Sequence, residues 1–260
     1  MNGEVALISL GANLGDRRRT LEAALVEIHR LPGVQPLKVS RFHETAPIGG
    51  PGGQPPYLNA AASFAVEVSA ESFAEALQAV ERRFGRTRAA QWDSRTLDLD
   101  LLLFGNVEIS TPELEIPHPR FALRTFVLEP LAEIAPDSID PLTNLSIGQL
   151  SENLRRRPAR ASLLKAEGAE GRSFEVVREA LTEIGWEIVE PGQVVPTLFI
   201  AENHAGHLLP VSERWQALME ASRADLPLKN PPAPVWWVDL DGVGIDLANL
   251  LATCRGIVGS

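Results

Sequence analysis

The alternation of hydrophobic and polar residues over positions 4–105 predicts strands and helices in a definite order. The apolar, β-branched run 4–11 is typical of a strand, and the apolar residues between 16 and 30 recur at helical spacing, with Asp16 as the N-cap. The same criteria predict strands at 34–42, 57–68 and 95–105, and a helix that Ser69 caps and that runs to Gly85. The order β-α-β-β-α-β is that of the ferredoxin-like split βαβ arrangement, so we expect an α+β fold here.

Proline and glycine interrupt this pattern at two places. Pro36 lies inside the strand 34–42, and because proline cannot donate a ladder hydrogen bond it indicates an edge strand or a bulge. The segment 44–56 is too rich in glycine and proline for regular structure, so we predict a long loop there.

A different pattern follows the strand 95–105. Residues 113–136 indicate a turn, a short helix and a second helix, and 137–157 a loop and a further helix. After about residue 160, strands alternate with helices, which is typical of a parallel sheet. The predicted elements there are a helix at 173–185, a strand at 196–201, a helix at 211–224, a strand at 233–242 and a helix at 245–258. We therefore expect one domain over 1–158 and a smaller α/β accessory domain over 159–260.

Composition narrows the class of protein. A hydrophobic fraction of 45% supports a globular core, and no apolar run approaches the roughly 18–20 residues that span a bilayer. The formal net charge of −10 argues against binding to nucleic acid or to a membrane surface. The single cysteine, Cys254, excludes an internal disulfide and a cysteine-built metal site. The first residues lack the features of a signal peptide, so we expect a cytoplasmic protein.

The strand "RTLDLDLLLFG" carries two carboxylates among leucines. Because alternate residues of a strand share a face, Asp98, Asp100 and Leu102 are predicted to point one way. The opposite, core-facing side would carry Leu97, Leu99, Leu101 and Leu103. Two carboxylates about 6–7 Å apart along a strand can hold metal ions between them, and magnesium with phosphate suits such a pair. The alternative is an edge strand with a polar outer face.

Arginines cluster on both sides of this strand. They are Arg82, Arg83, Arg86, Arg88 and Arg95, followed by Arg120 and Arg124. One interpretation is a solvated surface, and the other is an anion site beside a cation site, as polyphosphate with magnesium requires. The segment "GANLGDR" matches neither of the phosphate-loop motifs G-x-x-x-x-G-K-[ST] and G-x-G-x-x-G. A nucleotide kinase without such a loop would hold its phosphates with arginines and metal.

Three further side chains are candidates for a binding site. His118, in the proline-stiffened turn "IPHPR", is either a structural histidine or a donor facing phosphate. Tyr57 either packs in the core or stacks on a flat heteroaromatic ring whose edge the Asn59 amide could read.

The C-terminal segment offers weaker candidates. Asp239 and Asp241 follow an apolar strand, where α/β sheets bind ligands, although a simple turn explains them as well. His204 and His207 lie in a glycine-containing stretch that is either a loop or a metal site. We expect an accessory or regulatory role, with a protein or ligand partner that the sequence does not identify.

Several motifs together resemble 6-hydroxymethyl-7,8-dihydropterin pyrophosphokinase over about residues 4–157. They are "LISLGANLGD", "ETAPIGG", "PPYLNAA", "RTLDLDLLLFG" and "IPHPRFALRTFVLEPLAEIAP". The resemblance implies transfer of diphosphate from ATP to the hydroxymethyl group of the pterin, which gives AMP and the pterin diphosphate in folate biosynthesis. It also implies the ferredoxin-like fold, with ATP as co-substrate and two Mg²⁺ ions.

The resemblance implies roles for individual residues. Asp98 and Asp100 would hold the magnesium ions, and the catalytic set would also include Arg88, Arg95 and His118. Residues that would contact the pterin are Thr45, Ile48, Tyr57, Asn59, Trp92 and Phe126. Residues that would contact ATP are Gln78, Glu81, Arg86, Arg95, His118 and Arg124.

Two other functions compete with this one. A ferredoxin-like binding module without chemistry gives no reason for paired aspartates opposite arginines. A different ATP-dependent transferase, such as a nucleotidyltransferase, also uses paired aspartates and metal. The nucleotide product separates these possibilities, because only a pyrophosphokinase leaves AMP on transferring diphosphate.

Overall fold

A computed structural model describes residues 3–47, 53–85, 96–164, 172–190, 196–202, 233–238 and 243–258. The strands of these parts are β1 (Glu4–Ala12), β2 (Val34–Val39), β3 (His43–Thr45), β4 (Tyr57–Val66), β5 (Asp98–Phe104), β6 (Ile109–Ser110), β7 (Glu115–Ile116), β8 (Arg160–Leu164), β9 (Glu187–Ile188), β10 (Leu198–Glu202) and β11 (Val235–Val238). The α-helices are α1 (Arg17–His29), α2 (Ala70–Arg83), α3 (Thr125–Ile134), α4 (Ile147–Arg155), α5 (Arg172–Glu183) and α6 (Val243–Val258), and a 3-10 helix spans Phe121–Leu123.

The first sheet is antiparallel, with the strand order β2-β4-β1-β5 and with β3 paired to β4. Helices α1 and α2 pack on one face of it. Both helices begin at the predicted caps, because the Asp16 side chain accepts from the Arg19 N–H and the Ser69 side chain from the Ser72 N–H. The apolar cluster on this face includes Ile8, Leu10, Leu21, Ile28, Phe64, Phe73 and Leu77.

The edge of the sheet at β2 follows the prediction from Pro36. Strand β2 pairs only with β4 in the described sheet, and its register shifts between Pro36 and Lys38. The predicted loop 44–56 is wrong at its start, because Glu44 and Thr45 belong to β3, where they pair with Leu58 and Tyr57.

Strand β5 departs from strict alternation near its C-terminal end. Its pairing with β1 runs Leu103 opposite Leu7 and Leu101 opposite Ile8, which leaves Leu102 as an extra residue. After this irregularity the faces exchange. The prediction that Leu103 shares a face with Leu97, Leu99 and Leu101 is therefore wrong, because Leu103 lies with Leu102 in the apolar cluster on the opposite face.

That opposite face is half covered. Helix α3 packs over Leu7, Ala61, Leu102 and Leu103 through residues that include Val127 and Leu131. Leu102 was predicted to point away from the core together with Asp98 and Asp100, and for this half of the strand that prediction is wrong, because Leu102 is buried under α3. Towards the start of β5, Asp98 and Asp100 remain half-buried.

The second sheet is parallel, with the order β11-β10-β8-β9. Strands β8 and β9 were not predicted, and the predicted helix 211–224 lies outside the described residues. The apolar cluster under α3 continues into this part through α4, α5 and α6, with Leu150, Leu154, Val177, Leu181, Ile200 and Leu250 among its members. In the described parts, no helix is long and apolar enough to cross a membrane.

Candidate functional site

The candidate site lies on the half of the first sheet that α3 leaves uncovered. Strand β1 runs through its middle, where Gly11 pairs with Asp98 on one side and with Asn59 on the other. Two residues further along β1, Ser9 lies opposite Asp100. Because residues directly opposite each other in a sheet share a face, these side-chain positions form one surface across three strands.

The carboxylate of Asp100 faces two basic side chains without a hydrogen bond to either. Its Oδ2 atom is 3.7 Å from a terminal guanidinium nitrogen of Arg124 and 3.9 Å from Nε2 of His118. Both distances exceed hydrogen-bond length. The half-exposed Asp100 carboxylate thus lies beside both side chains and keeps its oxygens free of hydrogen bonds to them.

Backbone contacts fix His118 beside the strand. Its N–H donates to the Leu102 carbonyl at 2.9 Å, and its Nδ1 atom accepts from the Arg120 N–H at 3.2 Å. Burial, together with the charges of Arg124 and Arg120, lowers the pKa of His118 to about 3, against the opposing effect of Asp98. The ring is therefore neutral near pH 7, and its remaining proton lies on Nε2, on the side of Asp100.

Arg124 connects the acidic strand to an aromatic side chain. It immediately precedes α3, and its guanidinium carbon lies 5.7 Å from the centre of the Phe126 ring. Arg124, which is predicted to contact ATP, thus lies beside both Asp100 and the ring predicted to stack on the pterin.

Three of the residues predicted to contact the pterin, Thr45, Tyr57 and Asn59, lie on β3 and β4. Asn59 is 5% exposed, and its Nδ2 donates to Thr45 Oγ1 at 2.8 Å. Tyr57 is half-buried and pairs with Thr45. The structure therefore brings Thr45, Tyr57 and Asn59 together at one edge of the surface that carries Asp98.

Two residues predicted to contact ATP lie on α2, which packs on the other face of the sheet. The buried carboxylate of Glu81 accepts a 2.8 Å hydrogen bond from the Leu99 N–H, between the two aspartates. Gln78 lies one helical turn earlier and is half-buried. The hydrogen bond of Glu81 to the strand was not predicted, because nothing in the sequence pairs position 81 with position 99.

Sequence reasoning also missed long-range contacts made by residues at and next to β3. Arg17 donates to the Pro56 carbonyl at 2.7 Å and to Glu44 at 2.8 Å. Glu133 on α3 accepts from the backbone and the guanidinium of Arg41 at 3.0 and 2.7 Å. Glu133 also lies 2.9 Å from the His43 ring. These are long-range contacts between unremarkable surface residues, and no local motif marks them.

Nine candidate residues lie outside the described parts of the chain. They are Ile48, Arg86, Arg88, Trp92, Arg95, His204, His207, Asp239 and Asp241. Within the described parts, no group of three or more histidine, cysteine, aspartate or glutamate side chains is placed to hold a metal ion.

An acidic pair beside basic side chains on an open sheet surface suits the binding of a metal–polyphosphate and phosphoryl transfer. The chain belongs to the family of 7,8-dihydro-6-hydroxymethylpterin-pyrophosphokinase (HPPK), whose family model matches residues 7–136.

Individual relatives carry the same description. The chain is similar to a 2-amino-4-hydroxy-6-hydroxymethyldihydropteridine pyrophosphokinase of Synechocystis, at 38% identity over 57% of this chain and 75% of that protein. It is 41% identical to the enzyme of the same name from Pseudomonas aeruginosa, over 50% of this chain and 80% of that protein. A solved HPPK-DHPS structure from Plasmodium falciparum aligns at 14% identity with a TM-score of 0.49, over 83% of this chain and 60% of that one.

Proposed function

We propose that this chain transfers diphosphate from ATP to the hydroxymethyl group of 6-hydroxymethyl-7,8-dihydropterin, a step of folate biosynthesis that yields AMP and the pterin diphosphate. The observation that carries the proposal is the half-exposed Asp100 carboxylate that faces Arg124 and His118 on the strand shared with Asp98. Membership of the pyrophosphokinase family supports the choice of reaction.

The fold that we propose for residues 1–158 is the ferredoxin-like split βαβ. In support, β4 lies between β1 and β2 in the sheet, and α1 connects those two strands, with a second such unit formed by β4, α2 and β5 around β1. The change from an antiparallel to a parallel sheet supports a boundary near residue 158, with an α/β unit over 159–260 as the accessory part.

The acidic pair fits magnesium. Magnesium in phosphoryl-transfer sites is usually held by one or two carboxylates, with water and phosphate oxygens completing its coordination. Two carboxylates on one strand match this donor set. We propose that Asp98 and Asp100 hold two Mg²⁺ ions, which would neutralise phosphate charge and lower the pKa of the attacking hydroxyl.

The two substrates would approach from different sides of this pair. On the side of β4, Asn59 and Thr45 would bind the ring edge, with Tyr57 and Phe126 on its faces, and Ile48 and Trp92 are proposed for the same pocket. On the other side, Arg124 and neutral His118 would donate to phosphate oxygens. Gln78, Glu81, Arg86, Arg88 and Arg95 complete the proposed ATP site.

The chain's own residues would act by positioning and by stabilising charge. The pterin hydroxyl oxygen forms a bond to the β-phosphorus of ATP as the bond from that phosphorus to the AMP oxygen breaks, and the hydroxyl proton passes to solvent. Arg124 would stabilise the charge that develops on the transferred group. Holding the two reacting atoms in line removes much of the entropic barrier, so no covalent intermediate is required. Because ATP is the donor, we also propose a cytoplasmic location.

The nucleotide product tests the proposal directly. The purified chain, incubated with ATP, Mg²⁺ and the hydroxymethyl dihydropterin, should form AMP and pterin diphosphate in equal amounts. Asp100→Asn, which keeps the side-chain shape, should lower kcat at least about a hundredfold without unfolding the protein. Formation of ADP or of free pyrophosphate would contradict the proposed reaction.

A further inference from the structure

Gly11 occupies a strand position where glycine is unfavourable. It lies inside β1, paired on both sides, and glycine in a strand interior weakens the strand. Its φ angle lies outside the left-handed region, so the backbone conformation does not require glycine. The reason for a glycine must therefore lie in the space above it.

The side chain of Asn59 occupies that space. A Cβ atom added to Gly11 in ideal geometry would lie 3.1 Å from Asn59 Oδ1. The same atom would lie 4.0 Å from Asp98 Cβ and 4.0 Å from Tyr57 Cδ1, which are ordinary van der Waals distances. A side chain at position 11 would thus displace one neighbour, the Asn59 amide, and leave the aspartate and the tyrosine in place.

Asn59 has little freedom to give way. It is 5% exposed, and its Nδ2 atom is held by Thr45 Oγ1 at 2.8 Å. Moving Oδ1 away from position 11 rotates the whole amide, because the two atoms share one plane, and so strains or breaks the bond to Thr45.

We infer that Gly11 is a positioning residue that sets the orientation of the Asn59 amide, and through it the affinity for the pterin. This inference rests on the proposed function, in which Asn59 binds the edge of the pterin ring. A side chain at position 11 should therefore weaken pterin binding alone. It would collide with the Asn59 amide and would not collide with Asp98 on the other side of the glycine.

Gly11→Ala tests the inference in steady-state kinetics. The KM for the pterin should rise about tenfold, the loss expected for one mispositioned hydrogen-bonding amide. The values of kcat, of the KM for ATP and of the Mg²⁺ concentration at half-maximal rate should stay within about twofold. The matched control is Val5→Ile, which enlarges an exposed side chain on the same strand about 20 Å away and should change none of these.

A double-mutant cycle tests whether Gly11 acts through Asn59. Asn59→Ala should raise the KM for the pterin by itself, and Gly11→Ala added to it should cause no further rise, because the conflicting amide is gone. Multiplied effects, or an unchanged KM in Gly11→Ala, would overturn the inference. A fall in kcat together with a changed Mg²⁺ dependence would do the same, since it would indicate a general distortion of the site.

One measurement separates this inference from the proposed function. The side-chain NH₂ resonances of Asn59 in an NMR spectrum of the ligand-free protein should move in Gly11→Ala and remain unmoved in Val5→Ile. If the wild-type chain makes no AMP, the proposed function fails, and the Asn59 resonances still decide the structural inference. If the wild type is active and the resonances of Gly11→Ala are unmoved, the inference alone fails.

Discussion

The Glu81 carboxylate and the Leu99 backbone N–H are joined by a 2.8 Å hydrogen bond between a helix on one face of the sheet and its edge strand. Leu99 lies between Asp98 and Asp100, and β5 has no further strand on its outer side in the described sheet. Glu81 therefore supplies the acceptor that a neighbouring strand would otherwise provide, at the point where the strand carries its carboxylates.

Replacing Glu81 by alanine should loosen the acidic pair. A buried N–H left without an acceptor costs about 1–3 kcal/mol, so the free energy of unfolding should fall by that amount in Glu81→Ala. The Mg²⁺ concentration at half-maximal activity should rise several-fold because Asp98 and Asp100 are less firmly placed. Urea unfolding and a magnesium titration of the rate measure the two effects.

Glu81→Gln is the matched control, since its amide oxygen can accept the same hydrogen bond. It should keep most of the stability and most of the magnesium response. Equal damage in both variants would show that the negative charge, and not the hydrogen bond to Leu99, is what the site needs. A raised KM for ATP in Glu81→Gln at unchanged stability would support direct contact with ATP.

Removing the Arg17 side chain should weaken pterin binding more than it lowers the stability of the fold. Its guanidinium joins Glu44 to the Pro56 carbonyl, next to Tyr57, and is 28% exposed, so the net stability of the ion pair is below about 1 kcal/mol. In Arg17→Ala the KM for the pterin should rise a few-fold while the unfolding midpoint changes little, as steady-state kinetics and thermal unfolding would show.

The adjacent Arg18 provides the control for that experiment. It pairs with Glu22 on the same helix and lies 4.8 Å from the Phe42 ring, whereas the contacts with Glu44 and Pro56 belong to Arg17. Arg18→Ala should leave the KM for the pterin unchanged. Equal effects of the two substitutions would indicate a general loss of positive charge instead of a specific clamp.

The sequence predicts elements well where one local period decides them. The starts of α1 and α2 and the position of β5 follow from caps and alternation. The face of the sheet on which Leu103 lies could not be predicted. It depends on a register irregularity opposite Leu7 and Ile8 of β1, a strand far away in sequence. Motifs likewise marked the aspartates as candidates, whereas the contacts of Glu81 and Arg17 form only in the folded chain.

Acidification should weaken the contacts of Glu133 on α3 with Arg41 and His43. The hydrogen bond from Arg41 is the main cause that lowers the pKa of Glu133 from 4.5 to about 2. Because the folded state binds this proton less readily than the unfolded state, the stabilisation is complete above about pH 4.5 and is lost as pH falls through 2. Over this window the unfolding free energy of Glu133→Gln should fall less steeply with decreasing pH than that of the wild type.

Glu129 on the same helix serves as the comparison. It pairs with the exposed side chain of Arg155 at 3.2 Å. Glu129→Gln should retain the acid dependence of the wild type in urea titrations between pH 2 and 5. An unchanged slope in Glu133→Gln would show that its contacts with Arg41 and His43 do not stabilise the fold in solution.

The C-terminal part should unfold together with the pyrophosphokinase part. One apolar cluster includes Leu128 and Leu131 of α3 with Leu181 of α5 and Leu250 of α6. The junction also contains buried polar contacts, since the Asn153 amide donates to the Thr197 carbonyl at 3.1 Å. Leu181 is fully buried, so Leu181→Ala should lower the free energy of unfolding by about 2–5 kcal/mol. The active site should lose stability by the same amount.

Two probes distinguish one cooperative unit from two. Four of the five tryptophans follow residue 158, so tryptophan fluorescence reports mainly on the C-terminal part, while enzymatic activity reports on the N-terminal site. In urea, Leu181→Ala should lower both midpoints equally, as should the control Leu21→Ala, which is fully buried in the other apolar cluster. If Leu181→Ala shifts the fluorescence midpoint alone, residues 159–260 unfold separately, and the continuous core does not couple them to the site.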